Sequence, residues 1–287
     1  VLLAELVTTS DKVASTPSRS AKIASLAALL GRLAPEEVEP AVALLSGRPR
    51  QGKVGVGWAT VQAVDPSPAA SPSIQVLELD AAVTAVQSLG GPGSAAARQR
   101  LLGGLLSRAT EAEAGFIRHL LVGDLRQGAL EGVMTEALAR ASGIPPASVR
   151  RAVMLAGDLA RVAPVALAEG EPGLSAIGLE VLRPVLPMLA STSPDLASAM
   201  LDLGTASVEW KLDGARIQAH RRGDEVRLFT RNLNDVTDRL GGVAAAVRAL
   251  DASQVVLDGE VLGVRDDGPE AFQETMSSFG RRTSTPS

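Results

Sequence analysis

Apolar residues recur every three or four positions over the first part of the chain and every second position beyond it. From Lys22 to Leu33, the set Ile23, Leu26, Leu29, Leu30 and Leu33 draws one face of a helix. Pro35 followed by Glu36 and Glu37 reads as a helix start. A proline needs no hydrogen-bond donor there, and carboxylates suit the positive end of the helix dipole. The same spacing predicts helices over 36–46, 77–89, 93–107, 110–122, 129–142, 146–157 and 158–168. Glycine and proline clusters at Gly90–Gly93, Gly143–Pro146 and Gly170–Gly173 separate them, and Asp65–Ser73 reads as a mobile Pro/Ser loop. No repeat of fixed period is present. Residues 1–170 are therefore expected to form a compact all-α domain.

Near residue 200 the period becomes two. Ser207–Leu212 and Arg216–Arg221 alternate as half-buried strands do, Arg221-Arg-Gly-Asp224 supplies a turn, and Glu225–Thr230 returns as a partner strand. Asp238–Leu250 reads as a helix and Gln254–Val264 as a further strand. Residues 207–287 are expected to be an α+β unit. Residues 171–206 connect the two and include the proline-stiffened stretch Arg183-Pro-Val-Leu-Pro-Met-Leu-Ala190. The fold class is thus multidomain, α and β.

Composition narrows the function classes. A length of 287 residues allows one large or two ordinary domains, and 46% hydrophobic with 21% charged residues is a globular balance that excludes wholesale disorder. Aromatics are only 2%, with no Tyr, so the core must be built from Ala, Leu and Val. The absence of Cys excludes disulfides, thiol catalysis and Cys-ligated zinc. His119 and His220 lie about a hundred positions apart, which offers no His-rich metal site. No window approaches the ~18 consecutive apolar residues of a membrane span. The opening Val-Leu-Leu-Ala-Glu-Leu lacks the basic region of a secretory signal, so the cytoplasm is the expected compartment. The first residue is not Met, which leaves the natural start open.

Net charge is −4, with 17 Lys+Arg against 18 Asp+Glu in residues 1–195 and 11 against 14 in 196–287. A nucleic-acid surface would need its basic groups gathered on one face. Arginine dominates the basic residues. Only four lysines are present, Lys12, Lys22, Lys53 and Lys211, and none follows Lys211.

Lys211 opens the string Lys211-Leu-Asp-Gly214. A Lys-x-Asp-Gly string is expected by chance about 0.02 times in a chain of this composition. Its surroundings sharpen the signal: Glu209 lies two positions before the lysine, Arg216 two after the glycine, Thr230-Arg231-Asn232 one hairpin later, and Asp258-Gly259-Glu260 in a further strand. A lysine amine is a weak nucleophile while protonated, with a reference pKa of ~10.4, so its use needs nearby cations or a metal and a pocket that excludes water. Gly214 permits a tight turn beside a bound nucleotide and Asp213 can fix that turn. Each of these residues also has an ordinary reading, as a strand-end lysine, a hairpin turn or a solvated charge.

Three stretches, Glu209-Trp-Lys-Leu-Asp-Gly-Ala-Arg-Ile-Gln218, Phe229-Thr-Arg-Asn-Leu-Asn-Asp-Val-Thr237 and Leu257-Asp-Gly-Glu260, resemble the ATP-dependent DNA ligases among the covalent nucleotidyltransferases. The run 207–282 looks like the first part of an ATP-grasp-like adenylation domain. The helical portion resembles the DNA-binding domain that precedes it, through Val54-Gly-Val-Gly-Trp58, Gly123-Asp-Leu-Arg-Gln-Gly128 and 183–190. The arrangement looks most like the B-type ligases of actinobacteria.

The resemblance implies that Lys211 carries AMP taken from ATP, hands it to the 5′-phosphate of a nick, and that the 3′-hydroxyl then displaces it. It implies that Glu209 contacts adenine, that Arg216 and Arg231 contact ribose, phosphate or the nick 5′-phosphate, and that Glu260 contacts the ribose or supports Mg²⁺. Asp258 reads as structural. In the helical domain Arg126, Gln127 and Gly128 are candidate phosphate contacts, with Arg98, Arg100, Arg150 and Arg151 as further ones. Trp58 and His119 read as packing residues.

The implied partners are ATP, Mg²⁺ and nicked duplex DNA, with no membrane and a monomeric state. The family pattern continues beyond Ser287, so the adenylation domain reads as truncated. The same lysine chemistry serves RNA ligases and capping enzymes, although the long helical domain favours a DNA ligase. A non-catalytic DNA-binding remnant and a protein-binding helical scaffold remain the readings from other classes.

Overall fold

A computed structural model describes residues 1–52, 54–125, 131–188, 191–209, 211–212, 214–265 and 268–269. Packing divides the chain into two units. The first is Val1–Val153 with Asp158–Ile177, and the second is Met154–Gly157 with Gly178–Ser287. The helical domain therefore extends past the expected boundary at 170, and much of the stretch expected to be a connector belongs to the second unit.

The first unit is all-helical among the described residues. Its helices are α1 (Leu3–Ser15), α2 (Arg19–Leu30), α3 (Pro35–Leu45), α4 (Trp58–Gln62), α5 (Val76–Ser88), α6 (Ser94–Leu106), α7 (Glu111–Val122), α8 (Glu131–Ser142), α9 (Pro146–Ala156), α10 (Leu159–Ala168) and α11 (Gly170–Ala176). The eight expected helices are present within a few residues of their predicted ends; α1, α4 and α11 are additional. Sequence-local chemistry sets several ends. Thr110 accepts from the Glu113 N–H while the Glu113 carboxylate accepts from the Thr110 N–H, a reciprocal cap at the start of α7. At its other end Gly123, at φ 74°, takes the left-handed conformation that lets its N–H and that of Asp124 close on the last carbonyls.

α2 packs on α8, α3 on α10, and α1 on α2 and α7. The interior is aliphatic, as the composition requires: Leu3, Leu6, Leu26, Leu29, Leu30, Leu44, Leu45, Ile74, Leu79, Leu102, Leu106 and Ile117 are all less than 2% exposed. Arginines close the surface over it. Arg19 pairs with Glu136 at 2.9 Å, Arg32 with Glu5 at 3.1 Å and Arg118 with Asp65 at 2.8 Å. Arg50 grips Asp80 with two hydrogen bonds of 2.7 and 2.5 Å.

The second unit holds α12 (Leu196–Leu203), α13 (Gly241–Arg248) and an antiparallel sheet of β1 (Ala215–Arg222), β2 (Glu225–Thr230) and β3 (Gln254–Val261) in the order β2-β1-β3. A short ribbon of β4 (Val264–Arg265) and β5 (Gly268–Pro269) follows. The β1–β2 hairpin turns on Gly223 and Asp224, between the paired residues Arg222 and Glu225. Ile217, Ala219, Val226 and Leu228 on one face of the sheet form a small core with Val236, Ala244 and Val247.

Three expectations are corrected here. Residues 207–209 and 211–212 form no strand, so Lys211 precedes the first strand rather than ending it. β1 is not half-buried either: Ile217, Gln218, Ala219 and His220 are all buried, which means that both faces of the strand are covered. The helix expected at 238–250 is shorter, with a 3₁₀ turn at Thr237–Arg239 before α13.

Candidate active site

Antiparallel pairing decides which side chains share a face. Arg216 lies opposite Glu260 and Gln218 opposite Asp258 in the β1–β3 register, and His220 lies opposite Val256. Directly opposed residues project to the same side, so Arg216, Asp258 and Glu260 stand together at the end of the sheet where β1 begins. This is the face away from the apolar core of the second unit.

Two interactions hold the cluster. Arg216 binds Asp258 through Nε at 3.0 Å and Nη2 at 2.6 Å, a two-pronged pair that raises the guanidinium pKa further above its already high ordinary value. Glu260 Oε1 accepts the Gly214 N–H at 3.1 Å. The glutamate thereby clips the end of the Lys211-Leu-Asp-Gly214 string to β3.

The glycine is required there by crowding rather than by a left-handed turn. A Cβ on Gly214 would lie 2.5 Å from the Val261 carbonyl oxygen, 2.7 Å from Leu262 Cδ2 and 2.8 Å from Glu260 Cγ. Its φ is not in the positive range. Lys211 and Leu212 are exposed and sit in the irregular segment that leads into this point.

Glu209 is exposed in the same irregular segment, with the Ser207 hydroxyl 3.4 Å from its carboxylate. Among the described residues, 207–209 and 211–212 form no strand, so Glu209 and Lys211 share no strand face there. Arg231 is exposed after β2, at the turn in which Leu233 and Asn234 N–H groups return to Thr230. The structure thus gathers Arg216, Asp258, Glu260 and Gly214, while Glu209 and Arg231 make no hydrogen bond or ion pair with that cluster among the described residues. Asp213 lies outside the described residues.

Donor chemistry bears on a metal. Among the described residues no group of three or more His, Asp or Glu side chains could hold an ion. Both Asp258 oxygens are engaged with Arg216, whereas Glu260 uses one oxygen on Gly214, feels the nearby Arg216 charge, and makes no second hydrogen bond among the described residues. One available carboxylate fits Mg²⁺ held mainly by substrate phosphates and water, the usual arrangement for that ion on a nucleotide.

In the helical unit Arg126, Gln127 and Gly128 lie outside the described residues. Arg98 is not a surface charge: its guanidinium donates to the carbonyls of Val86, Gly55 and Leu89 at 3.3, 3.2 and 2.5 Å. Arg151 reaches the Ile177 carbonyl at 3.3 Å. Arg100 and Arg150 are exposed and make no ion pair among the described residues. Trp58 and His119 are not core residues; Trp58 is 45% exposed and meets the exposed His119 edge to face, with ring centres 5.9 Å apart.

Sequence reasoning missed two residues on the site face, Gln218 and His220. Both are buried, at 4% and 0% exposure, and both bond to the backbone of residues 182–185. Their polarity at alternating strand positions reads as solvent-facing, and no local signal announces a distant backbone partner.

Comparison with known proteins gives this arrangement a family. The family model described as "ATP dependent DNA ligase domain" matches residues 187–286, and the one described as "DNA ligase N terminus" matches 59–139. A curated protein of Saccharopolyspora erythraea named "Probable DNA ligase" is 51% identical over 284 residues, covering 99% of this chain and 56% of that protein. Proteins of the same name from Pseudarthrobacter chlorophenolicus and Anaeromyxobacter dehalogenans are 53% and 52% identical, covering 98% of this chain and 55% and 56% of theirs. The chain spans about half the length of these curated relatives. A solved structure named "Pmar-Lig_Pre." has a TM-score of 0.53 at 16% identity, over 98% of this chain and 54% of that one, which is a likeness of fold. Two ligase family models matched in chain order, together with relatives half identical over nearly its whole length, establish that this chain belongs to the ATP-dependent DNA ligase family.

Proposed function

We propose that the chain carries the lysine that takes up AMP in an ATP-dependent DNA ligase, joined to a helical unit that binds duplex DNA around a nick. The observation that carries this reading is the cluster at the head of β1. There Glu260 clips Gly214, Arg216 is fixed by Asp258, and the exposed Lys211 lies three residues upstream of the clipped glycine. The match of residues 187–286 to the ligase domain family supports it.

Each residue then has a task. Lys211, once its Nζ has lost a proton to solvent, attacks the α-phosphorus of ATP; a P–N bond forms, the bond to the bridging oxygen breaks, and pyrophosphate leaves. Glu209 faces the adenine. Arg216 and Arg231 offer guanidinium forks to ribose and phosphate oxygens. Glu260 is the carboxylate that would hold Mg²⁺, which supplies positive charge to the phosphates when bound. The adenylate then passes to the 5′-phosphate of a nick, and the adjacent 3′-hydroxyl displaces AMP.

The helical unit supplies DNA contacts through Arg126, Gln127 and Gly128, with Arg100 and Arg150 as exposed cations. Contacts of this kind read the phosphate backbone, so binding falls with salt and shows no sequence preference. The match of 59–139 to the ligase N-terminus family favours DNA over RNA as the substrate.

The test is self-labelling with α-labelled ATP and Mg²⁺, beside a parallel reaction with labelled NAD. Label from ATP alone, stable to denaturation and absent from Lys211→Ala, is the expected result. Label from NAD, or label retained by Lys211→Ala, would overturn the assignment.

A further inference from the structure

The site face of β1 is covered by a strap. Residues Leu182–Met188 run beside it and meet every second side chain of the strand in turn. The Leu182 N–H donates to His220 Nδ1 at 3.1 Å. Val185 exchanges two hydrogen bonds with Gln218: its N–H donates to Oε1 at 3.0 Å and its carbonyl accepts from Nε2 at 2.5 Å. Arg216 Nη1 reaches the Met188 carbonyl at 3.5 Å. The order 220, 218, 216 against 182, 185, 188 makes the strap antiparallel to β1.

Physical chemistry explains why side chains do this pairing. β1 is the middle strand of the order β2-β1-β3, so both its edges are already paired and the strap can meet only its face, through side chains; Pro184 and Pro187, which have no N–H to place, suit such a segment. The Gln218 amide, which presents one donor and one acceptor, imitates the missing strand partner for Val185. His220 must keep Nδ1 unprotonated to accept from Leu182, which places its proton on Nε2, 3.5 Å from Gln218 Oε1. Leu182 holds a left-handed φ of 75°, a conformation unfavourable for a residue with a branched side chain, and the bond to His220 fixes it there. Both side chains are buried, so losing the strap would leave them unsatisfied.

We propose that Gln218 and His220 are positioning residues of the nucleotide site: by locking the strap onto β1 they hold Arg216 in its pair with Asp258. The inference rests on the nucleotidyltransferase reading of that site. Both residues are buried and spend their polar atoms on the strap. Each acts through strap residues whose far end, Met188, contacts Arg216 on the face that carries Glu260.

The experiment compares the wild-type chain with Gln218→Leu, His220→Asn, Arg216→Ala and the double variant Gln218→Leu/Arg216→Ala. Rates of lysyl-AMP formation are measured over a range of ATP concentrations, with amide exchange at Leu182 and Val185 and the NMR signal of Arg216 Nε–H followed in parallel. The expected result is a KM for ATP raised about three- to tenfold in either single strap variant, with the rate at saturation changed much less. In the double variant, Gln218→Leu should add little to Arg216→Ala. Lost protection at Val185 with unchanged KM, or full additivity with Arg216→Ala, would overturn the proposal. His220→Asn keeps a hydrogen-bonding side chain at its position and serves if Gln218→Leu does not fold. If the wild-type chain takes no label, the reading that this chain itself forms lysyl-AMP fails on its own, while its family membership stands. The Arg216 Nε–H signal then decides the strap: broadening or a shift in Gln218→Leu upholds it, and an unchanged signal overturns it.

Discussion

The two units bury different things. The helical unit buries leucines: its interior is a continuous aliphatic core, and its arginines are mostly taken up by carboxylates and carbonyls that close the surface. Among the described residues the sheet unit has a small core of seven buried apolar residues on one face of its sheet, with Phe229 buried besides. It buries polar side chains on its other face instead, and it leaves large apolar ones outside. Leu201 and Val208 are 85% and 86% exposed, and no residue of α12 is buried. Hydrophobic burial thus specifies the first unit, whereas backbone pairing and side-chain-to-backbone hydrogen bonds specify the second. The second kind of order suits a site, because it fixes directional groups at the cost of apolar burial.

The contrast can be broken at graded strength. Leu79→Ala, at a fully buried position of α5, should cost the helical unit about 2–5 kcal/mol in urea unfolding, with the sheet unit unaffected. Gly214→Ala should cost the sheet unit about 1–3 kcal/mol, because its Cβ meets the Val261 carbonyl at 2.5 Å and the strands must part. Exchange at β1 and β3 amides would report it, and an unchanged sheet would refute the crowding argument.

Burial holds the pKa of His220 below the ordinary histidine value of 6.5. The unfolded chain therefore binds a proton more readily than the folded one. The stability this contributes is complete above 6.5 and is lost as pH falls below it toward the folded value. The sheet unit should weaken on acidification in that window, and His220→Asn should flatten the dependence. Leu201→Asn, on the exposed face of α12, should change stability by less than about 0.5 kcal/mol. A large loss there would mean that the face is covered.

The helices were legible because their signals are local. Pro35 with Glu36 and Glu37 marks a start in the sequence, and α3 begins where that signal stands. α1 escaped because Thr8, Thr9 and Ser10 interrupt its apolar face with weak helix formers. α12 escaped although Asp195, which caps it by accepting the Ser198 N–H at 2.7 Å, was a readable signal beside Pro194. The strand expected at 207–212 shows the limit of alternation: Val208 and Leu212 have the right spacing but remain exposed, with no partner strand among the described residues.

Within the site, the motifs around Lys211 and the resemblance they carry singled out Arg216 and Glu260. They could not show that Arg216 is clamped by Asp258 or that Glu260 holds Gly214, since both are cross-strand relations set by register. The strap was invisible for the same reason: its partners lie more than thirty positions from Gln218 and His220, and a backbone partner has no side-chain identity to read.

The most direct test of the account is the location of the covalent adduct. The chain would be incubated with ATP and Mg²⁺, its intact mass measured, and the modified peptide sequenced by tandem mass spectrometry. A single AMP on Lys211, removed by added pyrophosphate, is the expected result. AMP on Lys12, Lys22 or Lys53, or an adduct that survives in Lys211→Ala, would contradict it.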